Sequence, residues 1–286
     1  MKYSALIGEP TDYSVSHILF PELSKAAKLP EFYQHIRVNV APDELEQSLA
    51  AFNTLHFVGL NVTLPYKLEI MQYLDSLDPV VHELGAVNAI KLGETTTGYN
   101  TDWVGITKSV KQFGNETQYE TATIFGTGGA ARAAIYACKQ LGIRRIYVLH
   151  RSEVSESTDK MQEQSESLGV LLYPYSKASE HLQVSQLIIN ATSAGMIGKD
   201  ATPLDLATIE EVDFAGKVFL DAVFKPLKTP LLTHFESKGA TVIDGLWMMI
   251  YQAVGALEVW FDRDIEVSTT KLQRIHNLLE KELQHV

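Results

Sequence analysis

The sequence has little cysteine, a deficit of basic residues and no long hydrophobic run. The single cysteine, Cys138, excludes a disulfide within the chain and favours a reducing, cytoplasmic environment. Basic residues number 24 against 35 acidic ones, and the net charge of −11 argues against nucleic acid or an anionic membrane surface as a partner. The most apolar stretch, residues 245–260, is interrupted by Gln252 and Glu258 and is too short to span a membrane. We therefore expect a cytoplasmic protein that binds small molecules.

The sequence also lacks the residue spacing of a metal-binding site. The nine histidines are scattered, and no close set of His, Cys, Asp or Glu side chains has the spacing of a metal site. We therefore predict no metal centre, and the chemistry has to come from other residues.

Strand-like and helix-like segments alternate in the first part of the chain. This alternation predicts a parallel sheet covered by helices. The predicted strands are residues 5–7, 36–40, 57–62, 87–92 and 96–99. Helical patterns cover residues 18–27 and begin at Pro42 and Pro65, because proline is favoured in the first turn of a helix.

A second series of strands begins after residue 104. Its six predicted strands suit a doubly wound nucleotide-binding domain, and they are residues 121–125, 145–149, 170–173, 187–190, 217–223 and 240–243. Two helices follow, residues 246–261 and 268–283, and are expected to pack back on the first domain. The predicted fold is therefore α/β with two domains: residues 1–103 bind substrate, 104–244 form a Rossmann domain, and 245–286 complete the first domain.

A glycine-rich turn joins the first strand of this second series to a helix. Gly126 permits a tight turn, Gly128 lets the backbone approach a pyrophosphate, and Ala131 allows close packing of helix against strand. Gly129 and Ala130 stand at the helix start, whose amides donate to phosphate. The pattern indicates a dinucleotide site, and the alternative is a glycine-rich turn without a ligand.

The end of the next strand bears on the choice of dinucleotide. NAD sites usually place an acidic residue there for the ribose 2′-hydroxyl, whereas this chain has Arg151, which suits a 2′-phosphate. Glu153 opposes this interpretation because its charge would repel the phosphate. We predict NADP as cofactor, with NAD as the alternative, and a plain surface arginine is the competing explanation for Arg151.

Polar side chains recur among apolar neighbours at several separate places. Each one alone can be explained as a turn residue, a helix cap or a buried amide with complete hydrogen bonds, but buried polar groups need hydrogen-bond partners. Together they would line one pocket for a small polyhydroxylated acid. These residues are Ser14, Ser16, Asn61, Thr63, Lys67, Asn88, Asp102 and Gln252.

The chain resembles the shikimate dehydrogenase family over essentially its whole length. The matching motifs are Ser14-x-Ser16, NVTLPYK at 61–67, AVNAI, YNTD, GTGGAARA and NATSAGM. The resemblance implies NADP-dependent, reversible reduction of 3-dehydroshikimate in aromatic amino-acid biosynthesis, by a monomer or homodimer.

The same resemblance implies a role for each site residue. Lys67 and Asp102 would form the catalytic pair, with Lys67 directed by a helix that begins at Pro65. Ser14 and Ser16 would bind the substrate carboxylate, and the rest of the substrate would contact Asn61, Thr63, Asn88 and Gln252. The remaining cofactor residues would be Asn190, Thr192, Val223 and Gly245.

Several positions depart from the family pattern. The first turn has Tyr13 for histidine and His17 for proline, and Phe224 replaces a tyrosine. His150 replaces an asparagine, and a second basic residue after Arg151 is missing. Three alternatives therefore stay open: a quinate dehydrogenase, a dehydrogenase of another shikimate-like polyol that uses NAD, and a ligand sensor without catalysis.

Overall fold

The chain divides into two compact units. The computed structural model describes residues 2–29, 33–115, 118–151 and 155–285. One unit is Met1–Thr101 together with Ile250–Val286, and the other is Asp102–Met249. The expected boundaries were residues 103 and 244, so the second unit begins two residues earlier and ends five residues later than expected. Each unit contains its own six-stranded sheet within the described residues.

The sheet of the first unit is mixed. Its strands are β1 Lys2–Gly8, β2 Tyr33–Asn39, β3 Gly59–Val62, β4 Ser76–Leu77, β5 Ala89–Lys91 and β6 Thr97–Tyr99, in the order β2-β1-β3-β5-β6-β4. Strand β1 is parallel to β2 and β3, but β5 is antiparallel to β3 and β6. The expectation of a parallel sheet was wrong here, because the short link between β5 and β6 cannot hold a crossover helix.

The helices of the first unit are α1 Ser16–Ala26, α2 Leu45–Thr54 and α3 Pro79–Leu84, with short 3-10 helices at Pro42–Glu44 and Glu69–Tyr73. The predicted helix from Pro65 was wrong: residues 64–68 form turns. The Lys67 carbonyl accepts a hydrogen bond from the Val87 amide (2.7 Å), and the buried Tyr66 hydroxyl donates to the Val40 carbonyl. These two hydrogen bonds join the segment to distant parts of the chain and hold it in a turn, whereas a helix would use bonds between residues four positions apart.

The sheet of the second unit is parallel throughout its described strands. They are β7 Thr121–Phe125, β8 Arg145–His150, β9 Leu171–Pro174, β10 Leu187–Asn190, β11 Val218–Asp221 and β12 Thr241–Ile243, in the order β12-β11-β10-β7-β8-β9. Helix α4 Asp102–Phe113 leads into β7, and the helices between the strands are α5 Gly129–Gln140, α6 Glu156–Glu163, α7 Ser165–Leu168, α8 Ala178–Val184 and α9 Pro230–Ser237. The order reverses between β7 and β10, which confirms the doubly wound fold and puts its ligand crevice there.

Two C-terminal helices, α10 Gly245–Phe261 and α11 Thr269–His285, end the fold. Helix α10 packs on the first sheet through Trp260, whose indole donates to the Ile90 carbonyl (3.0 Å) and stacks on Phe20. A side chain at Gly59 would lie 2.1 Å from the Trp260 Nε1 atom, so this contact needs a glycine. The return of the helices to the first unit is confirmed. No helix of the described ranges is both long and apolar enough to cross a membrane.

Candidate active site

Of the two predicted carboxylate-binding serines, Ser14 lies in the loop between β1 and α1, and Ser16 is the first residue of α1. We call residues 11–16 the serine loop. Both serines are buried. The Ser16 amide donates to the Ser14 hydroxyl oxygen (3.2 Å), and the Ser14 amide donates to the Thr11 carbonyl (3.0 Å). The Ser16 hydroxyl has no hydrogen-bond partner among the described residues. Because buried hydroxyls are normally paired, this group is available to a ligand.

The NVTLPYK segment lies beside the serine loop. Strands β1 and β3 are parallel neighbours, so the segments that follow them emerge at the same edge of the sheet. A side chain at Gly8 would lie 2.4 Å from the Thr63 Cγ2 atom, and the Tyr13 hydroxyl lies 2.8 Å from the Thr63 hydroxyl. The Asn61 amide donates to the Asn88 carbonyl (3.3 Å), while its buried Oδ1 has no partner in the described part of the chain.

A hydrogen-bonded cluster joins Asn88, Thr101 and Gln252. The Asn88 side chain accepts from the Thr101 amide (2.6 Å) and donates to the Thr101 hydroxyl (3.1 Å) and the Gln252 carbonyl oxygen (3.3 Å). Gln252 comes from α10, which brings it to a residue 164 positions earlier in the chain. The structure therefore brings two predicted substrate residues together and adds Thr101, which had no predicted role.

The two predicted catalytic residues belong to different units. Lys67 is half-buried in the turns after β3, and Asp102 is buried as the first residue of α4. Two hydrogen bonds within the first unit involve residues 86–88. The Val87 amide donates to the Lys67 carbonyl, and the Asn100 side chain donates to the Ala86 carbonyl (2.9 Å).

The glycine turn has a geometry that fits a dinucleotide. Gly126 has a φ of +107°, a left-handed conformation that favours glycine. Gly128 precedes α5, and a side chain added there would have no neighbour within 4 Å. This open space, next to the amides of Gly129 and Ala130 at the helix start, is what a pyrophosphate needs.

Asn190 forms hydrogen bonds to neighbouring protein groups through both ends of its side-chain amide. It is fully buried, and its Oδ1 accepts from the Thr192 amide (3.1 Å) and hydroxyl (2.7 Å). Its Nδ2 donates to the Asp221 carboxylate (2.9 Å). A side chain at Gly126 would lie 2.9 Å from the Thr192 Cγ2 atom. Asn190 therefore positions Thr192, and Thr192 is the residue that reaches the glycine turn.

Asp221 connects Asn190 to the other predicted cofactor residues. Its carboxylate accepts from the Thr229 hydroxyl (2.5 Å) and from the Val223 amide (3.0 Å). A side chain at Gly245 would lie 2.5 Å from the Val223 carbonyl oxygen, so these two backbones are in close contact. Burial raises the pKa of Asp221 to about 6, and the hydrogen bonds oppose this shift. Asp221 had no predicted role, although a carboxylate ending a buried strand was a usable signal.

Arg151 is exposed at the end of β8. Its Nη1 lies 3.8 Å from the Oδ2 of Asp200, and both side chains are more than two-thirds exposed. Such an exposed pair contributes little stability, so a phosphate could displace the carboxylate. Asp200 had no predicted role, while the predicted opposing residue, Glu153, lies outside the described residues.

Comparison with known proteins decides the family. Residues 6–90 match the family model described as the shikimate dehydrogenase substrate binding domain. Over 260 residues the chain is 34% identical to a shikimate dehydrogenase (NADP(+)) of Natronomonas pharaonis, covering 91% of this chain and 93% of that protein. This chain belongs to the shikimate dehydrogenase family.

Solved structures of the family match the whole chain. The Thermus thermophilus shikimate 5-dehydrogenase, in complex with NADP(H) and shikimate, is 27% identical with a TM-score of 0.78, covering 96% of this chain and 98% of that one. The chorismate mutase/shikimate 5-dehydrogenase fusion protein of Clostridium acetobutylicum is 27% identical with a TM-score of 0.84, covering 99% of each chain. The family fold therefore extends over both units.

Proposed function

We propose that this chain catalyses the reversible, NADP-dependent reduction of 3-dehydroshikimate to shikimate, a step of aromatic amino-acid biosynthesis. The observation that carries the proposal is the Asn88–Thr101–Gln252 cluster, since amide and hydroxyl groups gathered at one point suit a ring with several hydroxyls. Full-length similarity to NADP(+)-dependent relatives supports the same reaction.

Lys67 and Asp102 are the proposed acid–base pair. Bound NADPH would supply a hydride to the ring ketone, whose oxygen then becomes negatively charged. The Lys67 ammonium stabilises that oxygen and gives it a proton, while the Asp102 carboxylate supports the ammonium and shares in the proton transfer. In the reverse direction Lys67 takes the proton from the substrate hydroxyl.

The first unit is proposed to hold the substrate. Ser14 and Ser16 bind its carboxylate, in line with the buried and unpartnered Ser16 hydroxyl within the described residues. Asn61, whose Oδ1 is also unpartnered there, binds a ring hydroxyl. Thr63 and the residues of the Asn88 cluster complete the set. Residues 1–103 and 245–286 are thus assigned to substrate binding.

Residues 104–244 of the second unit, together with Gly245, are proposed to hold NADP. Gly126, Gly128, Gly129 and Ala130 receive the pyrophosphate, and Arg151 receives the 2′-phosphate. Thr192, Val223 and Gly245 line the rest of the crevice, and Asn190 acts through Thr192. The protein is proposed to act as a monomer or homodimer in the cytoplasm.

The test is oxidation of shikimate followed at the nicotinamide absorbance band, with Lys67→Ala as the decisive variant. Losing a positioned general acid should lower kcat roughly 10²- to 10⁴-fold, with KM for shikimate much less affected. Lys25→Ala, which removes only an exposed ion pair with Glu22, is the control and should behave as wild type. A Lys67→Ala enzyme that keeps more than about half of wild-type kcat, with chemistry rate-limiting, would exclude Lys67 from the mechanism.

Quinate is the second candidate substrate. Its tetrahedral carbon next to the carboxylate carries an extra hydroxyl, and the Tyr13 hydroxyl, which is part of the serine loop and bonded to Thr63, provides a partner for it. Crossing shikimate and quinate with NADP and NAD ranks the four combinations by kcat/KM. Wild-type protein that binds shikimate but turns over none of the four would be a sensor and not an enzyme.

A further inference from the structure

The serine loop is held from behind by two residues of strand β2. Arg37 and Asn39 are two positions apart, so their side chains leave the strand on the same face. The Asn39 Oδ1 accepts from both the amide and the hydroxyl of Thr11 (2.7 Å each). The Arg37 Nη1 donates to the carbonyls of Asp12 (2.8 Å) and Ser14 (2.7 Å). Together the two residues fix the beginning and the centre of the loop.

The charge of Arg37 is not neutralised by an ion pair in the described part of the chain, where its hydrogen bonds go to carbonyl oxygens. The nearest acid of the loop, Asp12, receives a long bond from Asn39 (3.5 Å). The pKa of His17, in the first turn of α1, is lowered by burial and then by the charge of Arg37, and it is raised by a hydrogen bond to the Ser14 backbone and then by Glu282 of α11. The positive charge of Arg37 therefore acts on the residue that directly follows the serine loop.

Two serine hydroxyls alone are a poor counterpart for a carboxylate. They can donate hydrogen bonds, but they bring no charge, and an ion taken out of water needs a charge-assisted partner or an opposite charge nearby. A fixed guanidinium directly behind Ser14 provides that charge and stays attached to the loop backbone.

We propose that Arg37 is the positioning residue that makes the serine loop selective for a carboxylate, by fixing the Ser14 carbonyl and by supplying the positive charge that the serines lack. This inference rests on the proposed function, because it assumes that the serine loop binds the acid group of the substrate. Arg37 contacts backbone atoms and acts through Ser14 and Ser16.

The test compares shikimate with its methyl ester in three variants. Arg37→Gln keeps donors but removes the charge, so KM for shikimate should rise roughly tenfold to a hundredfold, while KM for the ester and for NADP should change less than about threefold. Arg37→Lys keeps the charge and should stay close to wild type. Asn39→Ala is the matched control: it loosens the same loop without removing charge, so it should raise KM for acid and ester alike.

Equal effects of Arg37→Gln on acid and ester would overturn the proposal, because they would show a purely structural role, as would an unchanged KM for shikimate. Calorimetry can measure the binding of shikimate and of its methyl ester without turnover. A protein that binds shikimate selectively through Arg37 but does not oxidise it would contradict the proposed function and leave the role of Arg37 intact. If Arg37→Gln does not fold, the salt dependence of the wild type decides: added salt should weaken shikimate binding and leave ester binding unchanged, and equal responses would refute the role of charge.

Discussion

Individual buried polar groups differ in whether they complete their hydrogen bonds within the protein. Asn190 does so, since both ends of its amide are bonded to the chain. The Ser16 hydroxyl and the Asn61 Oδ1 do not, among the described residues. Unpartnered hydroxyls also occur away from the site, for example at Ser109, so only those at the carboxyl edge of the first sheet point to a substrate.

Replacing Ser16 separates binding from folding. Ser16→Ala removes a donor to the substrate carboxylate, and such bonds are worth about 1.5–3 kcal/mol, so KM for shikimate should rise roughly tenfold or more. The free energy of unfolding should hardly change, because the described residues give this hydroxyl no partner. Ser24→Ala, at another buried serine of α1, is the control. Loss of stability with normal KM would make Ser16 a structural residue.

Arg151 and Asp200 should affect NADP in opposite directions. Arg151→Ala should raise KM for NADP and leave KM for NAD nearly unchanged, because only NADP carries the 2′-phosphate. Asp200→Ala removes the competing carboxylate 3.8 Å away and should lower KM for NADP. Values of kcat/KM for both cofactors in wild type and variants check this. A wild type that prefers NAD would show that another group controls the adenosine ribose.

Helices and strands were predictable where they are stabilised by interactions within the same segment or where a continuous run of residues is buried. All six strands of the second sheet were located from sequence. The central strands β7, β10 and β11 are buried throughout, and such parallel strands are short apolar runs. The sequence pattern does not predict the two-residue strand β4, and it wrongly predicts a helix at the Pro65 turn. In that turn the deciding bond joins Lys67 to Val87, and a partner twenty residues away leaves no trace in local periodicity. The hydrogen bond between Asn190 and Asp221 was equally unpredictable, because it depends on the pairing of β10 with β11.

The packing of α10 on β3 should be sensitive to a single methyl group. A side chain at Gly59 would lie 2.1 Å from Trp260 Nε1 and 2.5 Å from the Ile90 carbonyl oxygen. Gly59→Ala should therefore destabilise the protein by about 1–3 kcal/mol or more, the usual cost of overpacking, as measured by urea unfolding. It should also raise KM for shikimate, since α10 carries Gln252. Gly93→Ala is the control, because its nearest neighbour would be 3.9 Å away. Equal stability of the two variants would contradict the proposed packing.

At the scale of the whole molecule, the two units contain buried groups that respond to acid in opposite ways. His35 is buried in the first unit, stacked on Phe20 and bonded to Ser4 (2.6 Å). Burial, and then the charge of His17, lower its pKa to about 3. In the second unit the pKa of Asp221 is raised to about 6. Because the pKa of His35 is lowered, the unfolded chain binds the proton more readily than the folded protein. The contribution of His35 to stability is therefore fully present above pH 6.5 and is lost as the pH falls towards 3. Because the pKa of Asp221 is raised, its contribution to stability is present below pH 3.8 and is lost as the pH rises to 6.

The first unit should therefore melt before the second in acid. Between pH 7 and pH 4 His35 removes a few kcal/mol from the first unit, while protonation of Asp221 returns a few kcal/mol to the second, at about 1.4 kcal/mol per pKa unit. Calorimetry at pH 4–5 should resolve two transitions, and His35→Phe should bring them together. His56→Asn, at an exposed histidine, should leave them apart. A single transition in wild type, or the reverse order, would contradict this assignment.

The path of the chain through the two units also sets the order of events on the ribosome. The second unit is an uninterrupted stretch, Asp102–Met249, whereas the first needs Ile250–Val286 in addition to its opening residues. Trp260, which seals the Gly59 side of the first sheet, emerges after every residue of the second unit. Domains generally fold as units during synthesis, N-terminal ones first. In this chain the N-terminal unit is completed last: part of the apolar surface of its sheet stays uncovered until the whole second unit has been synthesised.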